Sequence, residues 1–156
     1  MQIRQAAIRD LDGMLQCAKK FHKYAKYTEQ GLLLDEGSFN SIVKAYIINP
    51  KGIVLLLVDE KDGCIHGMIA GAVFPWSFNK NIQIMLELFY WVDPECRGLN
   101  SIRLYKGYEK LAREKGAEFS FMVSVATELQ EGVNRLYLRN GYVPQEQFFM
   151  KRLERK

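Results

Sequence analysis

Three apolar runs lie close together in the middle of the chain, and their composition is typical of buried β-strands. They are GIVLLLVDE (52–60), CIHGMIAGAVF (64–74) and IQIMLELFYWV (82–92). The turn residues EKDG predict a hairpin between the first two runs, and PWSFNKN (75–81) predicts a loop before the third. Strands this apolar have to be packed against other elements, so the rest of the chain must supply helices.

The flanking segments predict those helices and three further strands. Leu11, Met14, Leu15 and Ala18 recur at spacings of three and four, which indicates a helix from Asp10 onward. Periodicity and turn residues predict the other elements: a strand at 2–6, a helix at 36–48, a helix at about 99–115, a strand at 118–126, a short helix at 132–139 and a final strand at 142–153. The order β-α-α-β-β-β-α-β-α-β predicts an α/β fold (α+β in some schemes) with a mixed central sheet flanked by helices.

Length and composition predict one domain, residues 1–156, of a cytoplasmic protein. No run reaches the roughly 20 apolar residues that span a bilayer, and the N-terminus MQIRQAAIRD lacks the apolar region of a secretory signal. Cys17, Cys64 and Cys96 are odd in number and widely spaced, which favours reduced thiols over a disulfide framework. The net charge of +4 permits an anionic ligand but does not require nucleic acid.

The junction WVDPECRGLN (91–100) leads from the third apolar run into a predicted helix. A helix N-terminus presents N–H groups without intrahelical partners and the positive end of the peptide dipoles, which suits phosphate. Arg97 adds a permanent positive charge, and Gly98 permits close approach of the backbone. The junction therefore predicts an anion-binding corner, although proline and glycine also mark ordinary turns. GMIAG (67–71) lies inside a strand and predicts close packing or a bulge, not a phosphate loop.

Two stretches together resemble the GNAT superfamily of N-acyltransferases. ELFYWVDPECRG (87–98), followed by a helix, is similar to the family's motif A, and LYLRNGY (136–142) is similar to its second signature, L-Y-x-x-x-G-F/Y. The order of strands and helices around both also resembles the family. The resemblance implies a GNAT-like fold, and acetyl-CoA as acyl donor with its pyrophosphate held by the segment from Arg97 to Ser101. The implied cofactor-binding residues are Trp91, Val92, Arg97, Gly98, Leu99, Asn100 and Ser101. The usual family pattern is R-G-x-G-x-G, whereas this loop reads RGLNSI and is one residue shorter.

Two residues are predicted to carry the chemistry. Glu87 is the only charged residue in the run 82–92 and is the predicted base for the amine, since burial raises the pKa of a carboxyl. The alternative is that Glu87 has no catalytic role and either lies on the polar face of a half-exposed strand or pairs with an arginine. The resemblance implies that Tyr137 protonates the departing thiolate, and a core aromatic is the alternative. The resemblance also implies acceptor contacts, because in the family the region between the first two helices helps to wall the acceptor site; the predicted contacts are Tyr24, Tyr27, Trp76 and Phe78.

Neither a metal site nor a covalent acyl-enzyme is predicted. Cys64 and His66 share a strand face, but the sequence shows no companion pair of ligands. Cys96 has no histidine beside it in sequence, which an activated thiolate would need.

The sequence thus predicts an acyl-CoA-dependent N-acyltransferase, most simply one that passes acetyl from acetyl-CoA to a primary amine by direct attack in a ternary complex. The amine acceptor would be a small molecule or a protein. One alternative is a catalytically inactive module of the same fold that binds acetyl-CoA or a partner. Another is a nucleic-acid-binding protein that uses KKFHKYAKY (19–27), although a solvated helix face explains these lysines better. Membrane contact is not predicted, and the paired strands are compatible with a homodimer.

Overall fold

The computed structural model describes residues 1–127 and 130–153. Its regular elements are the strands β1 (Gln2–Gln5), β2 (Gly52–Val58), β3 (Ile65–Trp76), β4 (Asn79–Val92) and β5 (Phe119–Phe121) and the helices α1 (Leu11–Tyr24), α2 (Glu36–Ile48), α3 (Leu99–Glu114) and α4 (Gln130–Arg139). The strands form one sheet in the order β1-β2-β3-β4-β5, antiparallel except for the parallel pair β4–β5. The predicted fold class, a mixed sheet flanked by helices, is confirmed. Among these described helices, none is both long and apolar enough to cross a membrane.

Two hydrophobic cores cover the two faces of the sheet. α1 and α2 pack on one face, where Met14, Leu56 and Met68 are fully buried. α3 packs on the other face, where Leu57 and Leu104 are fully buried. Successive residues of β2 therefore enter opposite cores, which explains why this strand is a continuous apolar run and not an alternating one.

β4 contains a bulge at Leu88 that changes which core its side chains face. Gly71 of β3 pairs with Glu87, whereas the preceding residue of β3 pairs with Phe89, so Leu88 is the extra residue. Phe89 lies in the core beneath α1 and α2. Met85 lies in the core beneath α3, and Glu87 follows it by two residues, so Glu87 is directed to the α3 side. Without the bulge, Glu87 and Phe89 would share a face.

The hairpin between β3 and β4 is tighter than its sequence predicts. A loop is predicted at 75–81, but β3 continues to Trp76 and β4 begins at Asn79, so only two residues turn the chain. The rings of Trp76 and Phe78 contact each other at a centroid distance of 5.3 Å. Such an aromatic pair stabilises a short turn.

The C-terminal part of the sheet is shorter than predicted. The strand predicted at 118–126 is confined to the three residues of β5, and no strand forms within 142–153, where a final strand is predicted. A further strand would need a long edge to pair with, and β5 offers only three residues. The apolar side chains of Phe148 and Phe149 are accordingly 84% and 86% exposed.

Candidate active site

β4 and β5 part at the bulge, and Glu87 spans the opening. The parallel ladder has three residue pairs and ends at Leu86 and Phe121. One residue further along β4, Oε2 of Glu87 accepts a hydrogen bond of 2.9 Å from the backbone N–H of Val123. A side chain thus takes the place of the ladder between the two segments. Unlike a ladder bond, this contact can be exchanged without unpairing the sheet.

Tyr137 of α4 contacts the same residue from its other side. Its hydroxyl donates a hydrogen bond of 3.3 Å to the carbonyl oxygen of Val123, and the residue is only 7% exposed. Glu87 and Tyr137 therefore attach to the N–H and the C=O of one residue. The structure brings together the two side chains that the sequence predicts to carry the chemistry.

The end of α4 fixes the position of Tyr137. Gly141 adopts a φ of +85°, and the N–H of Tyr142 donates to the carbonyl of Tyr137 at 3.1 Å, which is the hydrogen bond of a Schellman motif. This turn packs the two rings at a centroid distance of 5.4 Å. The Tyr142 hydroxyl then donates to Glu109 of α3 at 2.7 Å. The glycine and the final tyrosine of LYLRNGY thus orient Tyr137 without contacting the opening themselves.

Burial changes the acid–base properties of both side chains. Removal from water raises the pKa of Glu87 to about 7, and the N–H of Val123, which favours the charged form, opposes this rise only in part. Such a carboxyl exchanges its proton readily near neutral pH. Burial, and after it the negative charge of Glu87, raise the pKa of Tyr137 well above its ordinary value. Tyr137 is therefore a neutral O–H donor in the free protein.

Tyr108 of α3 is a candidate that the sequence reasoning misses. It is fully buried, and its hydroxyl occupies the place of a side chain at Gly71, because a Cβ there would overlap it. Gly71 is the cross-strand partner of Glu87. The Tyr108 hydroxyl therefore lies where a side chain at position 71 would stand beside Glu87 on the same face of the sheet. Among the residues that the structure describes, this hydroxyl has no hydrogen-bond partner. The available signal was the last glycine of GMIAG, which indicated close packing without naming the partner.

The N-terminus of α3 is open, as an anion-binding corner requires. Gly98 is the N-cap with a φ of +81°, and no side chain caps the helix. A Cβ on Gly98 would have no described neighbour within 4 Å, and Leu99, the first helical residue, is 77% exposed. The first turn of the helix therefore leaves its N–H groups and the positive end of its dipole accessible.

Side-chain hydrogen bonds hold the backbone of this corner. Nδ2 of Asn100 donates to the carbonyl of Cys96 at 3.1 Å. The hydroxyl of Tyr90 donates to the carbonyl of Ser101 at 3.0 Å. Both predicted corner residues are thus tied to their surroundings by polar contacts, which leaves the helix end open but ordered.

Arg97 is held against the end of β4. Its Nε donates to the carbonyl of Val92 at 3.0 Å, and its guanidinium carbon lies 5.0 Å from the ring centroid of Trp91 and 5.6 Å from that of Tyr24. Contacts of a guanidinium with aromatic rings are attractive. Arg97, Trp91 and Val92 therefore form one group with Tyr24 of α1.

Tyr24 and Tyr27 border the opening from the end of α1. The hydroxyls of Tyr24 and Thr127 are hydrogen-bonded at 3.0 Å, which joins α1 to the segment after β5. Tyr27 packs against Phe21 at a centroid distance of 5.9 Å and lines an apolar groove with it and Phe89. Burial, and after it the charge of Glu87, raise the pKa of Tyr27. The predicted acceptor residues Tyr24, at the end of α1, and Tyr27, just after it, are therefore near the site.

Trp76 and Phe78 are not brought to this site. They lie at the β3–β4 turn, and β4 begins eight residues before Glu87, at Asn79. Eight strand residues span roughly 26 Å at ~3.3 Å each. Their predicted role as acceptor contacts would need an acceptor that extends along the sheet.

Comparison with known proteins identifies structures that share this fold. No protein-family model matches the chain, and no curated protein matches it. Solved structures do match over nearly the full length of both chains. An aminoglycoside acetyltransferase from an uncultured soil metagenomic sample is 14% identical, covers 98% of this chain and 98% of its own, and has a TM-score of 0.72. A tetramutant of a Bacillus halodurans protein is 18% identical, with coverages of 98% and 100% and a TM-score of 0.76.

A third neighbour extends the same pattern. The ribosomal-protein-alanine N-acetyltransferase of Brucella melitensis biovar Abortus is 14% identical, with coverages of 98% of this chain and 100% of its own and a TM-score of 0.66. At such identities the likeness concerns the fold alone. The chain has the fold of these acetyltransferases, and the resemblance to the GNAT superfamily is confirmed at the level of the fold.

Proposed function

We propose that this protein is an acyl-CoA-dependent N-acyltransferase that passes an acetyl group from acetyl-CoA to a primary amine in a ternary complex. The observation that carries the proposal is the attachment of Glu87 and Tyr137 to opposite sides of Val123, at the opening between β4 and β5. A carboxyl and a phenol attached to the N–H and the C=O of one residue can take a proton from an amine and give one to a departing thiolate without moving far.

The residues of the corner fit the pyrophosphate of coenzyme A. An uncapped helix end with accessible N–H groups suits a polyanion, and the space beside Gly98 is free for it. The shortened loop RGLNSI retains the one glycine whose φ of +81° lies in the left-handed region. The backbone from Gly98 to Ser101 would hold the pyrophosphate, with Arg97 adding positive charge nearby. Bound there, acyl-CoA supplies an activated acyl group as a thioester.

Glu87 and Tyr137 have distinct tasks in this proposal. Glu87 accepts a proton from the amine, and with a pKa of about 7 it is partly ionised at neutral pH. As it takes the proton it loses charge and holds the N–H of Val123 less strongly, so this N–H becomes available to a carbonyl oxygen. Tyr137 exchanges its bond with the Val123 carbonyl for one with the leaving sulfur, to which its O–H gives a proton.

The acceptor amine would approach from the side of α1. Tyr24 and Tyr27 border the opening there, and Tyr27 also lines the apolar groove together with Phe21 and Phe89. Beside the groove lie Lys19, His22 and Lys23 of the same helix and Lys26 just after its end. This arrangement favours an acceptor with an apolar body, held with its amine toward Glu87.

Binding of acetyl-CoA tests the corner first. We expect titration calorimetry to show binding by the wild type and loss of binding by Gly98→Val, because a side chain at this φ distorts the helix end and enters the open space. Gly63→Val is the matched control, since Gly63 also has a positive φ, of +75°, and no described neighbour within 4 Å of a Cβ, but lies in the β2–β3 turn. Equal binding by Gly98→Val and Gly63→Val would contradict the proposed pyrophosphate site.

Turnover tests the chemistry. With a panel of primary amines, we expect Tyr137→Phe to lower kcat by about 100-fold while the Kd for acetyl-CoA changes by about twofold or less, since the ring is retained and only the proton donor is lost. Acetyl-CoA binding without transfer to any amine of the panel would instead indicate an inactive binding module of this fold. An unchanged kcat in Tyr137→Phe would remove the role of Tyr137 and leave the acyltransferase proposal intact.

A further inference from the structure

Three side chains that ligate metals converge at the loop before α3, apart from the opening between β4 and β5. The N–H of Asp93 donates to the carbonyl of His66 at 2.7 Å, which brings this loop to the start of β3. The ligand atoms of His66, Glu95 and Cys96 consequently all lie within 4.8 Å of one another. A tetrahedral zinc ion holds its ligand atoms roughly 3.5 Å apart. The side chain of Glu95 is exposed and can rotate toward the other two ligands.

The imidazole of His66 is already oriented as in metal-bound histidines. Its Nδ1 lies 3.1 Å from Oδ2 of Asp93. Asp93 is 1% exposed, and its carboxylate also accepts bonds from Nζ of Lys20 at 2.5 Å and from Nε1 of Trp91 at 2.8 Å. A carboxylate that accepts the N–H of one ring nitrogen leaves the lone pair of the other, here Nε2, for a metal. The hydrogen bonds around Asp93 are a second observation, separate from the distances between the three ligand atoms.

We propose that His66, Glu95 and Cys96 form a binding site for Zn²⁺. A thiolate, an imidazole and a carboxylate together suit this borderline-soft cation, whereas Mg²⁺ and Ca²⁺ prefer oxygen ligands alone. Binding replaces the proton of the Cys96 thiol, which is released to solvent as the zinc–sulfur bond forms. Three protein ligands leave a fourth position for water or an external group.

The position of this site gives it a consequence for α3. Cys96 directly precedes Arg97 and Gly98, and its carbonyl accepts the hydrogen bond from Asn100. A metal bound here would tie the loop to β3 and restrict the backbone that leads into the helix. The sequence does not predict the site, because His66 and Cys96 are distant in the chain and meet only when β3 pairs with β4.

Cobalt and zinc titrations of the full chain test the proposal. We expect one Co²⁺ per chain with a thiolate-to-cobalt charge-transfer band in the near ultraviolet, displaced by one equivalent of Zn²⁺. Cys96→Ser should lose the band and weaken Zn²⁺ binding at least about 10-fold in competition with a chelator. Cys64→Ser is the matched control, since Cys64 is an exposed thiol near His66 that is not part of the cluster, and it should bind as the wild type does.

A second variant covers the case in which Cys96→Ser does not fold. Glu95→Gln changes an exposed side chain and should also weaken Zn²⁺ binding, with loss of the rise in Tm that Zn²⁺ gives the wild type. Absence of binding by the wild type would overturn the site. Wild-type affinity in both Cys96→Ser and Glu95→Gln would do the same. None of these measurements requires acetyl-CoA, so their outcome is separate from that of the proposed acyltransferase activity.

Discussion

Val123 explains why a carboxyl can remain inside this sheet. Its N–H and its C=O would be unpaired after the end of β5, and they are satisfied by Glu87 and Tyr137. The single hydrogen bond from Val123 lowers the cost of an ionised Glu87, but desolvation outweighs it, and the pKa rises to about 7. Because desolvation outweighs the hydrogen bond from Val123, Glu87 can exchange a proton near neutral pH. For the same reason, its ionised form lowers the free energy of unfolding.

The pH dependence of stability follows from the raised pKa of Glu87. In the unfolded chain Glu87 loses its proton near the ordinary glutamate pKa of 4.5, but in the fold only near 7. Below pH 4.5 both states are protonated and no cost arises; the cost develops as the pH rises toward 7 and reaches about 3 kcal/mol above it. Glu87→Gln, which keeps an acceptor for Val123, should therefore raise the free energy of unfolding at pH 8 and change it little at pH 4.

Urea unfolding of both forms at the two pH values measures this difference. An equal effect of Glu87→Gln at pH 4 and pH 8 would show that Glu87 has an ordinary pKa in the fold. In the enzyme assay, the rate of the wild type should rise with pH through about 7, because the base must be ionised to accept a proton.

At the scale of elements, the packing of α3 on the sheet depends on the missing side chain at Gly71. The Tyr108 hydroxyl and the Leu86 carbonyl both occupy the space that a Cβ would need. Gly71→Ala should therefore lower the free energy of unfolding by about 2–3 kcal/mol through overpacking. Adding Tyr108→Phe removes the hydroxyl and should recover part of the loss, while the backbone of Leu86 still opposes the methyl group.

Gly132→Ala is the control for this prediction, because Gly132 lies in α4 and a Cβ there has no neighbour within 4 Å among the described residues. Its higher helix propensity should raise stability by about 0.5–1 kcal/mol. Urea unfolding of the single and double variants separates the effects. Purely additive losses from Gly71→Ala and Tyr108→Phe would show that the hydroxyl does not occupy the glycine's place.

Elements whose signal is local were predictable, and those that depend on distant pairing were not. The period of α1 and the apolar run of β2 indicate their structures directly. The bulge at Leu88 leaves no local pattern, because it is a shift of register between β3 and β4. The strand predicted at 142–153 had the composition of a strand but no edge long enough to pair with. Local residue preference favours a strand in this segment, but a strand forms only where the sheet offers an edge to pair with.

The residues of the candidate site also differ in whether the sequence could identify them. Glu87 and Tyr137 were found because each stands in a short motif with a chemical reason for its residue type. Tyr108 was not found, since only the fold brings its hydroxyl to Gly71. Trp76 was predicted as an acceptor contact from the family resemblance, and the length of β4 separates it from Tyr24 and Tyr27.

At the scale of the molecule, the sheet has a closed part and an open part. β1, β2 and β3 are joined by longer antiparallel ladders, with one register shift between Leu57 and Val58, whereas β4 and β5 share three residue pairs before they separate. A ligand that enters the open part lies between the corner at α3 and the segment after β5. Its binding should protect backbone N–H groups in both places and leave the rest of the molecule nearly unchanged.

Hydrogen exchange with and without acetyl-CoA tests this division. We expect slower exchange at residues 98–102 and at 122–124, because the first region would bind the pyrophosphate and the second would border the acyl group. The β3–β4 turn around Phe78, which lies roughly 26 Å along the strand from Glu87 at ~3.3 Å per residue, should exchange at the same rate in both samples. Gly98→Val should show neither protected region, and Gly63→Val should show both. Protection at 98–102 alone would mean that acetyl-CoA binds the helix end without entering the opening, and the proposed roles of Glu87 and Tyr137 would then fail.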